Sequence, residues 1–462
     1  MAMERKDYSF LLRWWKSPER KPLLIYGARQ VGKTYLIRDI FAKRNFQKYI
    51  YIDFQADRDI RVFTKNHVKA DDILRYLSLV KQVDIDGNTL IIFDEVQECM
   101  PALTALKYFC QDHPEIPVIA TGSMVRIKIH ASESKSLRLD PEIEEENQDG
   151  SNNCLFPLGK IDELTMHPMT FEEWLMAVNP RIYDFVRQGY ENKAVFSEEE
   201  HRLILKQFYN YLFVGGMPEV ASLFAKNQDY RKARATLRNI YDNYLNDMSL
   251  YQISSQAVLR TRNVFDHIYL ELAKENKNFK ISSIEKGKRF REYENPLSWL
   301  SLAGLILSSH QVKEHVSYPL MSEDGSLFRL YLPDCGLFAL QSQIYPETFL
   351  DPAGQNTLSG IFFENFAAEE LVARDYPLFY WKGKTSSELE FLLMDRGNIV
   401  PIDCKKNKGS LDSLKKYREH NANALAIKVS ANQYGYDEKN KLLTLPFYYF
   451  PFYLDDITKY RY

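Results

Sequence analysis

The stretch LIYGARQVGKTYLI, residues 24–37, sets Gly27 and Gly32 on either side of four residues, follows them with Lys33-Thr34, and encloses them between two aliphatic runs. Gly27, Ala28, Arg29, Gln30, Val31, Gly32, Lys33 and Thr34 together match the Gly-x4-Gly-Lys-Ser/Thr phosphate-binding pattern in full. The chemistry needs that arrangement. Glycines let the backbone curl so that successive N–H groups face phosphate oxygens, at the positive end of a helix that begins near Lys33. Lys33 is then placed to reach the β- and γ-phosphates of ATP, and the Thr34 hydroxyl to ligate Mg²⁺. LLIY before the loop reads as a buried strand, and TYLIRDIF after it as an amphipathic helix, so the context is the required one.

Outward from this loop, strands and helices take turns: PLLIYG, GKTYLIRDIFAK, KYIYIDF, ADDILRYLSLV, TLIIFDEV, PALTALKYFCQ, IPVIATGS. Charge-poor strands alternating with helices predict a parallel sheet covered on both faces, with ligands at the carboxyl ends of the strands. In TLIIFDEVQ, the run Leu90–Phe93 carries Asp94 and Glu95 to such an end. Asp94 is expected to hold Mg²⁺ through water and Glu95 to polarise the attacking water. IPVIATGS ends in Thr121, Gly122 and Ser123; Thr121 and Ser123 are candidates to orient the lytic water or sense the γ-phosphate.

Composition excludes several classes. With 462 residues, two or three domains are expected. Sixty basic side chains face 62 acidic ones, so no global field favours nucleic acid or a membrane, and any basic surface is local. The five cysteines, Cys99, Cys110, Cys154, Cys335 and Cys404, have no metal-ligand spacing and read as reduced thiols of a cytoplasmic protein. The charge-free run NPLSWLSLAGLILSS (295–309) is shorter than the roughly 20 apolar residues of a membrane span. LLTLPFYYFPFYL (442–454) is shorter still and carries two prolines.

The strand–helix alternation stops in LDPEIEEENQDGSNN, residues 139–153, read as a solvated acidic loop. From Phe171 to Leu272 the periodicity is helical, broken at VGGMPEV (214–220) by a helix-terminating turn. Residues 278–338 read as small helices followed by a hairpin, the outline of a winged helix, with local positive charge in KGKRFR (286–291). Beyond Ile361 come a helix, three strands (PLFYWK, SELEFLLMD, IVPIDCKK), a helix and another strand, with DRGN (395–398) a hairpin turn.

The segments KPLLIYGARQVGKTYLI, LIIFDEVQ, VIATGS, FPLGKIDELTMHPMTFEEWL and GGMPE resemble the prokaryotic AAA-type ATPases in which a P-loop domain is joined to a C-terminal domain of unknown function. The resemblance spans nearly the whole chain. It implies an α/β fold of four parts: an ATPase domain (1–170), a helical connector or lid (171–275), a winged-helix-like region (276–345) and a restriction-endonuclease-like end (346–462). Two departures stand out. Gly159-Lys160 replaces the family's usual Gly-Arg, and the acidic insert is longer. The former removes an arginine suited to the γ-phosphate, for which Arg29, Arg126 and Arg138 are the candidate substitutes.

A second site is read in LEF and IDCK. Asp403 and Lys405, two apart on a strand, share a face, and the hairpin can bring Glu390 alongside. This is the acid, acid-x-Lys order of restriction-endonuclease-like nucleases, where carboxylates hold Mg²⁺ and the lysine faces the phosphate. Glu364 is the expected further metal ligand. Lys406, Lys408, Lys415, Lys416 and Arg418 are candidate phosphate contacts. The expected partners are ATP, DNA at the winged helix and the C-terminal basic patch, and a second copy of the chain; no membrane is expected. The alternative is an ATP-switched interaction or signalling protein whose nuclease-like domain is inactive.

Overall fold

The computed structural model describes residues 3–130, 156–250, 252, 254–345, 359–384, 387–405, 411–421 and 424–458. The acidic run 139–153, Cys154, Arg138, Lys406 and Lys408 lie outside the described residues. The chain divides into two compact units, residues 2–167 and 168–462.

The first unit is built on a five-stranded parallel sheet in the order β2-β3-β4-β1-β5. Its strands are β1 Leu23–Tyr26, β2 Lys48–Asp53, β3 Thr89–Asp94, β4 Val118–Thr121 and β5 Asp162–Thr165. Every residue of β1, β3 and β4 is buried, as aliphatic runs covered on both faces require. Ile50, Ile52, Ile91, Phe93, Ala102, Leu106 and Phe109 pack into one core between the sheet and the helix Met100–Asp112. The strand order sets β1 beside β4, and β4 beside β3, so the loop after β1 and the acids after β3 leave the same edge of the sheet. β5 escapes the sequence reading because DELT is a half-exposed edge strand without an aliphatic run. The helix after the loop, Tyr35–Ala42, is wound as a π-helix, a local form frequent at functional sites.

In the second unit, six helices run in succession: Phe171–Val178, Pro180–Glu191, Glu198–Val214, Pro218–Asn227, Tyr230–Leu250 and Ser255–Leu272. Thr170 and Glu173 form a capping box at the first, and Ser197 and Glu200 at the third. The VGG turn ends the third helix at Gly215, whose φ of 75° suits glycine, and Pro218 opens the next. Gly216 is required there for a second reason: a β-carbon would lie 2.1 Å from the Met169 carbonyl oxygen.

Short helices Ile281–Ile284 and Glu294–Leu302 lead to β6 Leu307–Val312, which pairs antiparallel with β7 Phe328–Tyr331. β6 also pairs in parallel with β8 Leu378–Lys382, so the hairpin continues into a four-stranded sheet, β7-β6-β8-β9, with β9 at Glu388–Leu389. The DRGN turn joins β10 Phe391–Asp395 to β11 Asn398–Lys405, with Arg396 and Gly397 both at positive φ as a two-residue hairpin demands. β12 Ala426–Ser430 follows the helix Asp412–His420, and β13 Gly435–Asp437 and β14 Leu442–Pro446 complete the sheet β10-β11-β12-β14-β13. β13 and β14 were not anticipated; in the LLTLPFYYFPFYL stretch the structure has a strand, then a buried aromatic turn and the helix Phe450–Thr458. The four described cysteines are free thiols. Among the described residues, no helix is long and apolar enough to cross a membrane.

Candidate active site and a buried carboxylate cluster

Between β1 and the π-helix, the backbone of residues 27–32 turns through Gly27 at φ 140°, Gln30 at 66° and Gly32 at 94°. A β-carbon on Gly27 would lie 2.2 Å from the Met166 carbonyl oxygen, so that position accepts glycine alone. Met166, just past β5, thereby forms a wall of the loop. Arg5, which no motif signals, holds the loop from its other side. Its buried guanidinium donates to Val31 O at 2.8 Å and His167 O at 2.7 Å.

Lys33 is buried, and its ammonium donates to the carbonyl oxygens of Gly27 at 2.8 Å and Ala28 at 2.9 Å. Burial lowers its pKa to about 8, although the charges of Glu95 and Asp94 pull it back up. At neutral pH the group is therefore still a cation. The Thr34 hydroxyl donates to Asp94 Oδ2 at 2.8 Å, and Thr121 donates to Asp94 Oδ1. Asp94 thus gathers the two hydroxyls that the sequence nominated. Tyr51, on β2, joins them with a 2.7 Å bond to Asp94 Oδ2. Burial and that bond push the Tyr51 hydroxyl up, so it remains a donor. A polar side chain near the carboxyl end of a parallel strand was the available signal for it.

Glu95 adopts a left-handed backbone, φ 51° and ψ 45°, where β3 leaves the sheet. Gln97 Nε2 donates to its carboxylate. Arg29 Nε lies 3.4 Å from Ser123 Oγ, across the loop from the end of β4. Arg126, the other described candidate for a γ-phosphate arginine, stacks on the Tyr26 ring at 4.2 Å and donates to Thr165 Oγ1 at 3.0 Å.

The residues fit Mg²⁺ and ATP. Hydroxyl and carboxylate oxygens suit a hard cation, and a curled loop backed by a buried ammonium suits polyphosphate. Thr34 and Asp94 would hold the ion, which supplies charge neutralisation on the phosphate oxygens.

A parallel sheet with this loop at its edge, and an acid pair on the strand two places away, defines a P-loop ATPase domain. Residues 19–175 match the family model of an AAA domain. Residues 205–348 and 359–448 match two domains of unknown function, DUF8612 and DUF4143. No curated protein matches the chain. Among solved structures, the chain is similar to the Walker-type ATPase paby2304 of Pyrococcus abyssi, at 16% identity over 74% of this chain and 96% of that one, with a TM-score of 0.43.

The second nominated site falls in the other unit. Glu364 lies on the helix Ser359–Val372, Glu390 between β9 and β10, and Asp403 on β11; all three are buried. Glu390 accepts from the Cys404 amide at 3.2 Å, which ties it to β11 next to Asp403. Lys405 ends β11, and its side chain lies outside the described residues. Asp403 is paired in register with Lys428 of β12.

Three residues that the sequence did not signal complete this region. Lys277 donates to Glu364 Oε1 at 2.5 Å and pairs with Glu388 Oε1 at 2.9 Å, while Arg329 reaches Glu388 Oε2 at 2.6 Å. Burial alone would raise the Glu388 carboxyl, but Arg329 and Lys277 outweigh it and hold it at about 2. Burial and the neighbouring Glu390 charge push Glu364 up in spite of Lys277. Among the described residues, no group of three Asp, Glu, His or Cys side chains is set to hold a metal ion. Arg418, nominated for phosphate, instead donates to the backbone carbonyls of Asn440 and Ala424 at 2.6 and 2.8 Å.

Proposed function

We propose that the protein is a Mg²⁺-dependent ATP hydrolase, with Lys33 and the amides of residues 27–34 binding phosphates, Thr34 and Asp94 holding the ion, and Glu95 as the general base. The observation that carries this reading is the convergence of Thr34, Thr121 and Tyr51 on Asp94 beside the Lys33 loop. Lys33, still protonated at neutral pH, offsets charge on the β- and γ-phosphates. Glu95 takes the proton of the water that attacks the γ-phosphorus, and Thr121 orients that water. The test is ATP turnover by the purified chain in Mg²⁺. Wild type turns over and Lys33→Ala does not; normal turnover by Lys33→Ala rejects the assignment.

Hydrolysis in this reading drives a nuclease-like or DNA-binding C-terminal region. The order of a helix, the strands β8 to β11, a helix and β12, and the approach of Glu390 to β11, support the nuclease-like part. The protein would work in the cytoplasm, with self-association open to test by light scattering.

A second reading, in which nucleotide state switches an interaction surface and the nuclease-like domain is inactive, is favoured by the Lys277 contact to Glu364. Incubation with single- and double-stranded DNA and RNA, with and without ATP, in Mg²⁺ or Mn²⁺ separates the two. Cleavage lost in Asp403→Ala supports the first. Absence of cleavage, with ATP-dependent retention of a protein partner, supports the second.

A further inference from the structure

Lys277 stands in the turn after the helix Ser255–Leu272, and its neighbours fix that turn against the sheet. Asn276 Oδ1 accepts from Lys382 Nζ at 3.3 Å, Asn278 Oδ1 accepts from the Tyr380 hydroxyl at 2.8 Å, and the Phe279 amide donates to Phe328 O at 2.9 Å. The ammonium is thereby delivered to Glu364 from one side and to Glu388 from another. Arg329, wholly buried and stacked at 4.0 Å on the Tyr380 ring, holds the far oxygen of Glu388. Among the described side chains, Lys277 and Arg329 thus pair with the carboxylates of Glu364 and Glu388.

The balance within this set is uneven. Glu388 has a cationic partner on each oxygen. Among the described residues, Glu364 has Lys277 on Oε1, and its Oε2 is buried without a hydrogen-bond partner. A buried carboxylate oxygen left unpaired is costly, and a nearby second carboxylate makes it costlier. A divalent ion would cure both defects, since hard cations take several carboxylate oxygens at once. The single charge of an ammonium cures only part of them. Holding Glu364 Oε1 on Lys277 also denies that oxygen to any metal. This accounts for four carboxylates in one neighbourhood, Glu364, Glu388, Glu390 and Asp403, without a metal-ready set among the described residues.

We infer that Lys277 is the resident cation of this cluster, occupying the place of a divalent ion between Glu364 and the strand hairpin, so that the native chain keeps the site metal-free. Replacement of Lys277 by a neutral side chain converts the cluster into a Mn²⁺ or Mg²⁺ site. The inference rests on the reading in which the nuclease-like domain is inactive, and supplies its cause.

The test is Mn²⁺ binding to the full chain without nucleotide, followed by electron paramagnetic resonance of the free ion, in an Asp94→Asn background that removes the P-loop metal ligand. Lys277→Met gains one Mn²⁺ per chain, and adding Glu364→Gln abolishes the gain. With Lys277 present, Glu364→Gln leaves Mn²⁺ binding unchanged. A folded Lys277→Met chain that gains no ion overturns the inference. So does a Glu364-dependent Mn²⁺ site in the chain that retains Lys277, a comparison that decides the matter even if Lys277→Met does not fold. Nucleic-acid cleavage by wild type would reject the inactive-domain reading separately, because it is scored on a different observable.

Discussion

Glu95 carries a β-carbon yet sits at φ 51°, a backbone conformation that costs roughly 1–3 kcal/mol and persists only where its surroundings enforce it. The enforcement here is local: its amide donates to Asp94 Oδ1 at 3.1 Å, and its carboxylate accepts from Gln97. That a strained residue follows the aspartate proposed to hold Mg²⁺ supports Glu95 as base rather than as a surface acid. Glu95→Gln is expected to bind ATP as wild type does while hydrolysis falls about 10²- to 10⁴-fold. Equilibrium binding of a fluorescent ATP analogue, read beside steady-state turnover, checks both halves; turnover within a few-fold of wild type removes Glu95 from the role.

Lys33 yields a pH dependence of definite sign. Burial lowers its pKa to about 8 in the ATP-free chain, and phosphate oxygens beside it would stabilise the cation and raise that value. ATP binding below pH 8 then involves an ammonium already formed. Above pH 8 it must take up a proton, and affinity falls as pH rises, by up to about tenfold per unit. Calorimetry of ATP binding at pH 9 in buffers of different ionisation enthalpy should show proton uptake, absent at pH 7. Proton release at pH 9 would contradict the assignment.

Among the elements, the parts that chemistry constrains were legible and those that context constrains were not. β1, β3 and β4 could be read because a strand covered on both faces must be aliphatic throughout. The DRGN hairpin could be read because its two central residues need positive φ. β5 could not, since an edge strand of half-exposed polar residues lacks both signals, although it positions Met166 against the loop. The π-winding of the following helix leaves no mark on an apolar periodicity. The same logic separates the site: residues 27–34, Asp94 and Glu95 follow a pattern, whereas Arg5 and Lys277 act from distant segments that carry no pattern. The closeness of β5 to the loop makes Gly27→Ala informative. Its new methyl would collide with the Met166 carbonyl, so ATP binding should be lost and the P-loop unit destabilised, both measurable by thermal denaturation with and without ATP. A variant as stable as wild type and as avid for ATP would show that the loop does not need the close approach.

At the scale of the molecule, two compact units with chemically different buried charge should respond to different variables. In the proposed function ATP and Mg²⁺ bind in residues 2–167, so by mass action they should stabilise that unit, by about 2.7 kcal/mol at a hundredfold excess over Kd. Acid acts on the other unit through Glu388. Its carboxyl is held at about 2 against an ordinary unfolded value near 4.3, so the stability it contributes is present above pH 4.3 and is lost as pH falls towards 2. Glu364, pushed up, pulls in the opposite sense, and the net acid sensitivity of the cluster is the difference of the two. Scanning calorimetry should therefore resolve two transitions. ATP with Mg²⁺ should raise only one, and lowering the pH from 5 to 3 should lower the other in wild type more than in Glu388→Gln, where the titrating group is gone. A single transition that ATP raises as a whole would mean that the two units unfold as one, and an equal acid response in Glu388→Gln would place the acid-sensitive charge elsewhere.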